Sequence, residues 1–406
     1  MAYSKQFNVV ILTFAIVGVC LYIYWPDDSY IPLPLHENLS LNQIDERREL
    51  PLAGDASSGR LPPDQWKPFL PELFDHIQSN FSSKYRNPCW EDAGSLRCLP
   101  YFYQIGSYKC GTTDLWDKLV QHPDVLPVAK EPHWWAWRRF GYTSLPLHKP
   151  LILKIRNITG EGHDRSLQWY YNFISDQAIT QLKNNSKLVF GDASISNLWG
   201  LADFKWQKHF PNAREPPIYL ADLIHTLQPK AKITAILRNP VDKLWTTYML
   251  GDRYKKISFK AYFDSMVKNA AACEKQHTIR YCAFVHGSSS PTAPYGNHLY
   301  QGKYAIYLRE WVETFGLENI HVLRLEDWKN NTIRELDGVI RYLDLEPLTI
   351  ESMNRIVDRS VKNVNKMAVD REVVMTPSMR SVVEEYYRPW NVILSELLKD
   401  PKYLWY

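Results

Sequence analysis

Cysteine is scarce in this chain, with 6 residues in 406. No CxxC or HExxH pattern occurs, and the 12 histidines show no metal-ligand spacing, so no metal is expected. Charge of one sign is also lacking. The balance of 48 Lys+Arg against 44 Asp+Glu leaves a net charge of +4, without the concentrated basic surface of a nucleic-acid binder. There is no internal repeat. Long uncharged runs are confined to the N-terminus, which excludes a polytopic membrane protein. The 45% hydrophobic and 23% charged residues exclude a mostly disordered chain. Aromatics, by contrast, are plentiful: 15 Trp, 25 Tyr and 15 Phe. Most of these rings belong in a core, and a few are available as platforms for sugars.

The one long uncharged run, Val9 to Trp25, follows Lys5 and precedes Asp27 and Asp28. At about 1.5 Å per residue it reaches roughly 26 Å, close to the ~27 Å core of a thin bilayer. A cleavable signal peptide competes with this reading, but Leu21-Tyr-Ile-Tyr-Trp25 is bulky where cleavage wants small residues. Tyr22, Tyr24 and Trp25 suit an interfacial belt. The expectation is a cytosolic tail over 1–8, a single-pass type II anchor over 9–25, a proline-rich stem over 26–71 and a lumenal body over 72–406. Cys89/Cys98 and Cys273/Cys282 are each nine apart in polar sequence and suit two local disulfides in an oxidising lumen. Sequons at Asn38, Asn80, Asn157, Asn184 and Asn330 fit the same compartment.

The most informative stretch is Leu99 to His122. Its first part is β-branched and aromatic, and Leu115, Trp116, Leu119 and Val120 then recur at helical spacing. Strand, glycine-bearing loop and helix is the geometry that aims backbone N–H groups at an anion. A kinase loop would read GxxxxGK[ST]; here Thr112 follows Gly111, and the lysine comes early, at Lys109. The competing reading is an ordinary strand-helix turn with a surface lysine. Downstream, Lys232 to Leu237 reads as a buried strand ending at Arg238, with Asn239 as N-cap and Pro240 as first helical residue. A guanidinium fork there suits a phosphate, with Thr246 adding a hydroxyl; pairing with Asp242 is the alternative. Between these segments lies Lys130-Glu-Pro-His133-Trp134-Trp135. Its Glu and His suit proton transfer against a partly apolar wall, or equally a solvated turn beside core tryptophans.

In this order, the segments resemble the Golgi carbohydrate sulfotransferases, which use 3′-phosphoadenosine 5′-phosphosulfate (PAPS). The resemblance runs from about Leu99 to the C-terminus and includes Gly302-Lys-Tyr304 and Ile320 to Asp327. The 109–115 and 130–135 segments are most similar to the branch that sulfates O-6 of N-acetylgalactosamine 4-sulfate in chondroitin and dermatan sulfate. The resemblance implies an α/β fold: a single P-loop-like domain with a central, mainly parallel sheet and helices on both faces. It implies that Lys109, Cys110, Gly111, Thr112 and Thr113 cradle the 5′-phosphosulfate and that Arg238 and Thr246 hold the 3′-phosphate. Lys109, Glu131 and His133 are the implied catalytic residues, with Glu131 as base.

Two departures separate the chain from heparan sulfate members: Ala136 stands where those have Asp, and Ala193 where they tend to have Lys. Arg138, Arg139, Lys154 and Arg156 are acceptor contacts or a solvated charge face. The rival activities are a phosphoryl transferase, sulfation of another glycan such as heparan sulfate, and a non-catalytic glycan-binding membrane glycoprotein of the same fold.

Overall fold

The computed structural model describes residues 60–141, 165–173, 175–250, 256–287, 298–362 and 374–405. The expected anchor over 9–25 and the stem up to residue 59 lie outside these residues. None of the helices among the described residues is long and apolar enough to cross a membrane.

Six strands are described. β1 (Cys89–Asp92) and β2 (Ser95–Cys98) form an antiparallel hairpin, closed by the Cys89–Cys98 disulfide. β3 (Phe102–Gly106), β4 (Gly191–Asp192), β5 (Lys232–Leu237) and β6 (Ile320–Arg324) form a parallel sheet in the order β4-β3-β5-β6. The helices used below are α1 (Thr112–Leu119), α2 (Leu167–Phe173), α3 (Leu220–Leu227), α4 (Pro240–Tyr248), α5 (Tyr304–Phe315), α6 (Thr332–Tyr342), α7 (Ile350–Val357) and α8 (Pro377–Leu398).

Strand periodicity sets the layers. Tyr103, Ile105, Ile233, Ala235 and Leu237 join the larger cluster with α3, α4, α5 and α8. Phe102 and Ile236 point the other way and meet α1, α6 and α7. A sheet buried on both faces needs such apolar strands, and β3 is buried along its whole length. The expected parallel α/β architecture is therefore present.

The second disulfide, Cys273–Cys282, is also present, so both spacings pair as expected. The packed chain starts earlier than residue 72. Arg60 is ion-paired with Asp222 (2.9 Å) and Glu310 (2.6 Å), and Trp66, Leu70 and Leu73 are buried. Residues 60–71 are thus part of the body, because an apolar Trp-Leu-Leu face outweighs their prolines. The sequons at Asn80, Asn184 and Asn330 are exposed.

Candidate active site

Three strand ends bring the chemistry together. β3 runs into the loop Ser107–Gly111, β5 into Arg238, and β4 into Ser194. These strands are neighbours and parallel, so all three segments leave the same edge of the sheet. The Ser107 N–H donates to the Ile236 carbonyl (2.8 Å), which ties the first loop to β5.

The loop delivers α1 with its N-terminus open. Gly111 has φ +84°, a left-handed backbone that favours glycine, and a Cβ there would press on the Leu325 side chain at 2.6 Å. Among the described residues, Thr112 N and Thr113 N have no backbone partner. These are orphan donors at a helix start, the elements of an anion site. Lys109 is half-buried, and burial lowers its ammonium below the ordinary lysine value. It lies over the Tyr108 ring (5.2 Å) and, among the described residues, meets no carboxylate. Cys110 differs from the rest of the loop: its N–H donates to the Ser107 carbonyl, and its buried thiol lies 3.5 Å from the Tyr304 hydroxyl. It shapes the loop from within and has no free donor to offer.

At the end of β5, Asn239 caps α4 by accepting from Val241 N (2.9 Å). Arg238 Nη1 donates to Thr246 Oγ1 (2.8 Å), so these two predicted partners are already assembled. The alternative pairing with Asp242 is not found: Asp242 binds Arg380 (2.8 Å). A residue that sequence reasoning missed lies one turn into α4. Lys243 is completely buried, with Gln301 Oε1 at 3.4 Å and no carboxylate among the described residues. Burial brings its ammonium down to about 8, with the Cys110 thiol opposing that shift and Arg238 adding to it. Tyr304 completes the cluster by donating to the Arg238 carbonyl (2.9 Å). Gly302 is explained by packing: a Cβ there would lie 2.7 Å from the Tyr387 ring.

The Lys130–His133 turn is held against the end of β4. The His133 N–H donates to Ser194 Oγ (2.9 Å), and His133 Nδ1 is 2.7 Å from Ser196 Oγ. The imidazole stacks on Trp137 (4.6 Å). Burial holds it down at about 3, against the pull of Asp192, so the ring is neutral at physiological pH. Glu131 Oε2 lies 3.7 Å from His133 Nε2, and Glu131 Oε1 is paired with Lys130 Nζ. Asp192 is buried beside them, accepting from Tyr170 Oη of α2 (2.9 Å) and from Ser194 N (2.9 Å); burial raises its carboxyl.

Two alternatives left open by the sequence are narrowed here. Trp134 and Trp135 are wholly buried, packed edge-to-face on each other (4.9 Å), and Trp134 stacks on Tyr170 (5.0 Å). They back the turn as core and offer no face to a sugar. Arg138 and Arg139 form no solvated charge face: both are buried, Arg138 over the Trp169 ring (4.3 Å) and Arg139 bound to Glu72 (3.2 Å) and the Ala202 carbonyl (2.6 Å). Lys154 and Arg156 lie outside the described residues.

Lys109, Arg238 and Lys243 are three cations at or beneath one sheet edge with no carboxylate partner among the described residues. Buried cations without acids are costly unless an anion completes them. The donor set therefore fits a ligand with phosphate-like groups at two places, the open helix start and the Arg238–Thr246 fork.

Residues 201–387 match the sulfotransferase domain. Carbohydrate sulfotransferase 15 of Mus musculus is 32% identical over 76% of this chain and 55% of its own length, and that of Homo sapiens is likewise 32% identical over 76% and 55%. The chain thus spans about half the length of these curated relatives. A bifunctional heparan sulfate N-deacetylase/N-sulfotransferase 4 of Mus musculus is 22% identical over 83% of this chain and 35% of its own. A crystal structure of a sulfotransferase from Alicyclobacillus acidocaldarius covers 74% of this chain and 96% of its own, at 20% identity and a TM-score of 0.44.

Proposed function

We propose that this chain, whose residues 201–387 match the sulfotransferase domain, moves a sulfuryl group from PAPS to a hydroxyl of a glycosaminoglycan. The leading acceptor is O-6 of N-acetylgalactosamine 4-sulfate in chondroitin or dermatan sulfate. The observation that carries the reading is the set of three cations without acid partners, two of them at adjacent strand ends.

PAPS supplies the sulfuryl group. Lys109 and the open N–H groups of Thr112 and Thr113 steady charge on the phosphosulfate, and Arg238 with Thr246 grips the 3′-phosphate that distinguishes PAPS from ATP. The sulfur–oxygen bond to the phosphate breaks as the bond to the sugar oxygen forms. Glu131 takes the hydroxyl proton, and adenosine 3′,5′-bisphosphate leaves. The neutral His133, held by Ser196, offers an N–H toward the transferring oxygens and carries no charge of its own at neutral pH. The sequence features of an anchor and stem and the two disulfides support a type II protein of the Golgi membrane with a lumenal body.

The test is incubation of the full chain with labelled PAPS and 4-sulfated chondroitin. Label appearing on O-6 is the expected result; no transfer by a protein that adenosine 3′,5′-bisphosphate still stabilises against heat would sink the acceptor claim. Absence of that thermal stabilisation would sink the donor claim.

A further inference from the structure

Lys130 is the one charged group of the acceptor turn that the reaction above does not use. Its ammonium lies on Glu131 Oε1, the carboxylate that the proposed function makes the base. The pair is largely shielded, with side-chain exposures of 12% and 14%. The other Glu131 oxygen faces His133 Nε2 at 3.7 Å. A base needs a free lone pair within hydrogen-bond reach of the hydroxyl, and an ammonium held on the carboxylate lowers its basicity. As the chain stands, one of the two carboxylate oxygens is occupied and the basicity of the other is lowered by the ammonium.

The turn that holds this pair is strained: Glu131 and His133 both have positive φ, +64° and +50°. Such backbone costs on the order of 1–2 kcal/mol per non-glycine residue. It is fixed by Ser194 Oγ on His133 N and by the His133 carbonyl, which accepts from Trp137 N (3.0 Å) and Arg138 N (2.9 Å). Burial brings the Lys130 ammonium down to about 7, with Asp192 pulling it back up. The neighbouring cations are committed elsewhere, Arg138 to the Trp169 face and Arg139 to Glu72 and the Ala202 carbonyl. Lys130 is thus the cation whose partner can be exchanged, and a buried ammonium exchanges only for another anion.

We infer that Lys130 is the receptor for a sulfate ester on the acceptor sugar, and that binding this sulfate draws Lys130 off Glu131, frees Oε1 and restores the basicity of the carboxylate. Lys130 precedes Glu131 directly in the chain, so the anion it takes has to lie within about one sugar ring of the accepting hydroxyl. The inference rests on Glu131 being the base, and it makes acceptor sulfation a condition for turnover as well as for binding.

The experiment measures binding of a 4-sulfated chondroitin hexasaccharide and its desulfated counterpart by calorimetry. Adenosine 3′,5′-bisphosphate is present, and transfer rates are measured in parallel. The full chain is expected to prefer the sulfated sugar by about tenfold or more, the worth of one charge-assisted hydrogen bond. Lys130→Met should erase that preference, and Lys130→Arg should keep most of it while reporting that the turn still folds. Glu131→Gln should bind the sulfated sugar severalfold more tightly than the wild type, because the competitor for Lys130 is gone; a merely structural lysine would not produce that gain. A preference that survives in Lys130→Met overturns the inference, as does a parallel loss of both sugars, which would point to the uronate carboxylates common to both. The base assignment fails separately, if Glu131→Gln transfers sulfate at the wild-type rate.

Discussion

The loop after β3 and the turn at Lys130–His133 both present charge at the same edge of the sheet, and they are built in opposite ways. The donor loop is made of neighbours in sequence. Its cation, its glycine and its open helix start lie within five residues, Lys109 to Thr113, and Lys109 meets no acid among the described residues. The acceptor turn is made of partners far away. His133 is oriented by Ser194 and Ser196, some sixty positions on, and its charges are already paired in the free protein. One region waits for an anion, and the other is satisfied until an anion displaces part of it. A donor common to many enzymes suits a local, self-contained cradle; an acceptor that varies suits contacts drawn from several loops.

The largest expected effects come from removing one group on each side. Lys109→Ala should lower kcat by about two to three orders of magnitude, as loss of a preorganised charge does. Glu131→Gln should lower it by a similar or larger factor, about 10²–10⁴. The contrast lies in binding: Lys109→Ala weakens adenosine 3′,5′-bisphosphate, whereas Glu131→Gln leaves it unchanged. If both variants weaken the nucleotide equally, the two regions are one site and the comparison breaks.

Lys243 sharpens the donor side through pH. Its folded pKa, about 8, lies below the usual 10.5. The unfolded chain therefore holds this proton up to higher pH than the folded one. The penalty of the buried charge is complete below pH 8 and is relieved as pH rises from 8 toward 10.5. It amounts to roughly 3 kcal/mol at one pKa unit per 1.36 kcal/mol. Without ligand, Lys243→Met should melt higher than the wild type at pH 7, and the gap should close by pH 10. With adenosine 3′,5′-bisphosphate at pH 7, the wild type should gain more than the variant. A variant that melts lower at pH 7 without ligand would mean that the fold itself needs the ammonium.

Arg238→Ala should cost about tenfold to a hundredfold in donor affinity, in the range of a charged hydrogen bond. Thr246→Val should cost less, since it removes only the hydroxyl that receives Nη1. Calorimetry with adenosine 3′,5′-bisphosphate and with adenosine 5′-phosphate checks this: the difference between the two nucleotides should shrink in both variants. Equal losses for both nucleotides would remove these residues from the 3′-phosphate.

The same contrast explains what sequence alone can reach. The strand, loop and helix from Leu99 to His122, the cap at Asn239 and both disulfides are local patterns, and each is found where its spacing places it. Arg238 at the end of β5 and Thr246 on α4 are eight residues apart, also local. What escapes is non-local. Lys243 reads as an ordinary polar position on α4, and only the packing of Gln301 and Cys110 against it reveals a buried cation. Asp192 and Ser196 carry no motif; the register of β4 against β3 brings them to His133. Trp134 and Trp135 stay open between a wall and the core, because adjacency to Glu131 and His133 says nothing of which way a ring points. A strand-like alternation was absent to settle it, and both rings turn inward.

The smallest effect tests the long-range half of the comparison on its own. Ser196 touches neither donor nor acceptor in the proposed reaction; its hydroxyl lies 2.7 Å from His133 Nδ1. A neutral imidazole has one N–H, and the partner of Nδ1 fixes which nitrogen carries it. Ser196→Ala frees that choice and lets the ring turn on Trp137, while leaving charge and nucleotide site intact. The expected loss in kcat is severalfold to about tenfold, the scale of one neutral hydrogen bond. KM for PAPS should not move, and no titration near 6.5 should appear, because burial still holds the imidazole down. His133→Asn, which keeps one donor in a fixed position, should then be less sensitive to Ser196→Ala than the histidine enzyme is. If the two substitutions add independently, Ser196 acts on something other than the imidazole, and the acceptor turn is held by fewer distant contacts than its geometry indicates.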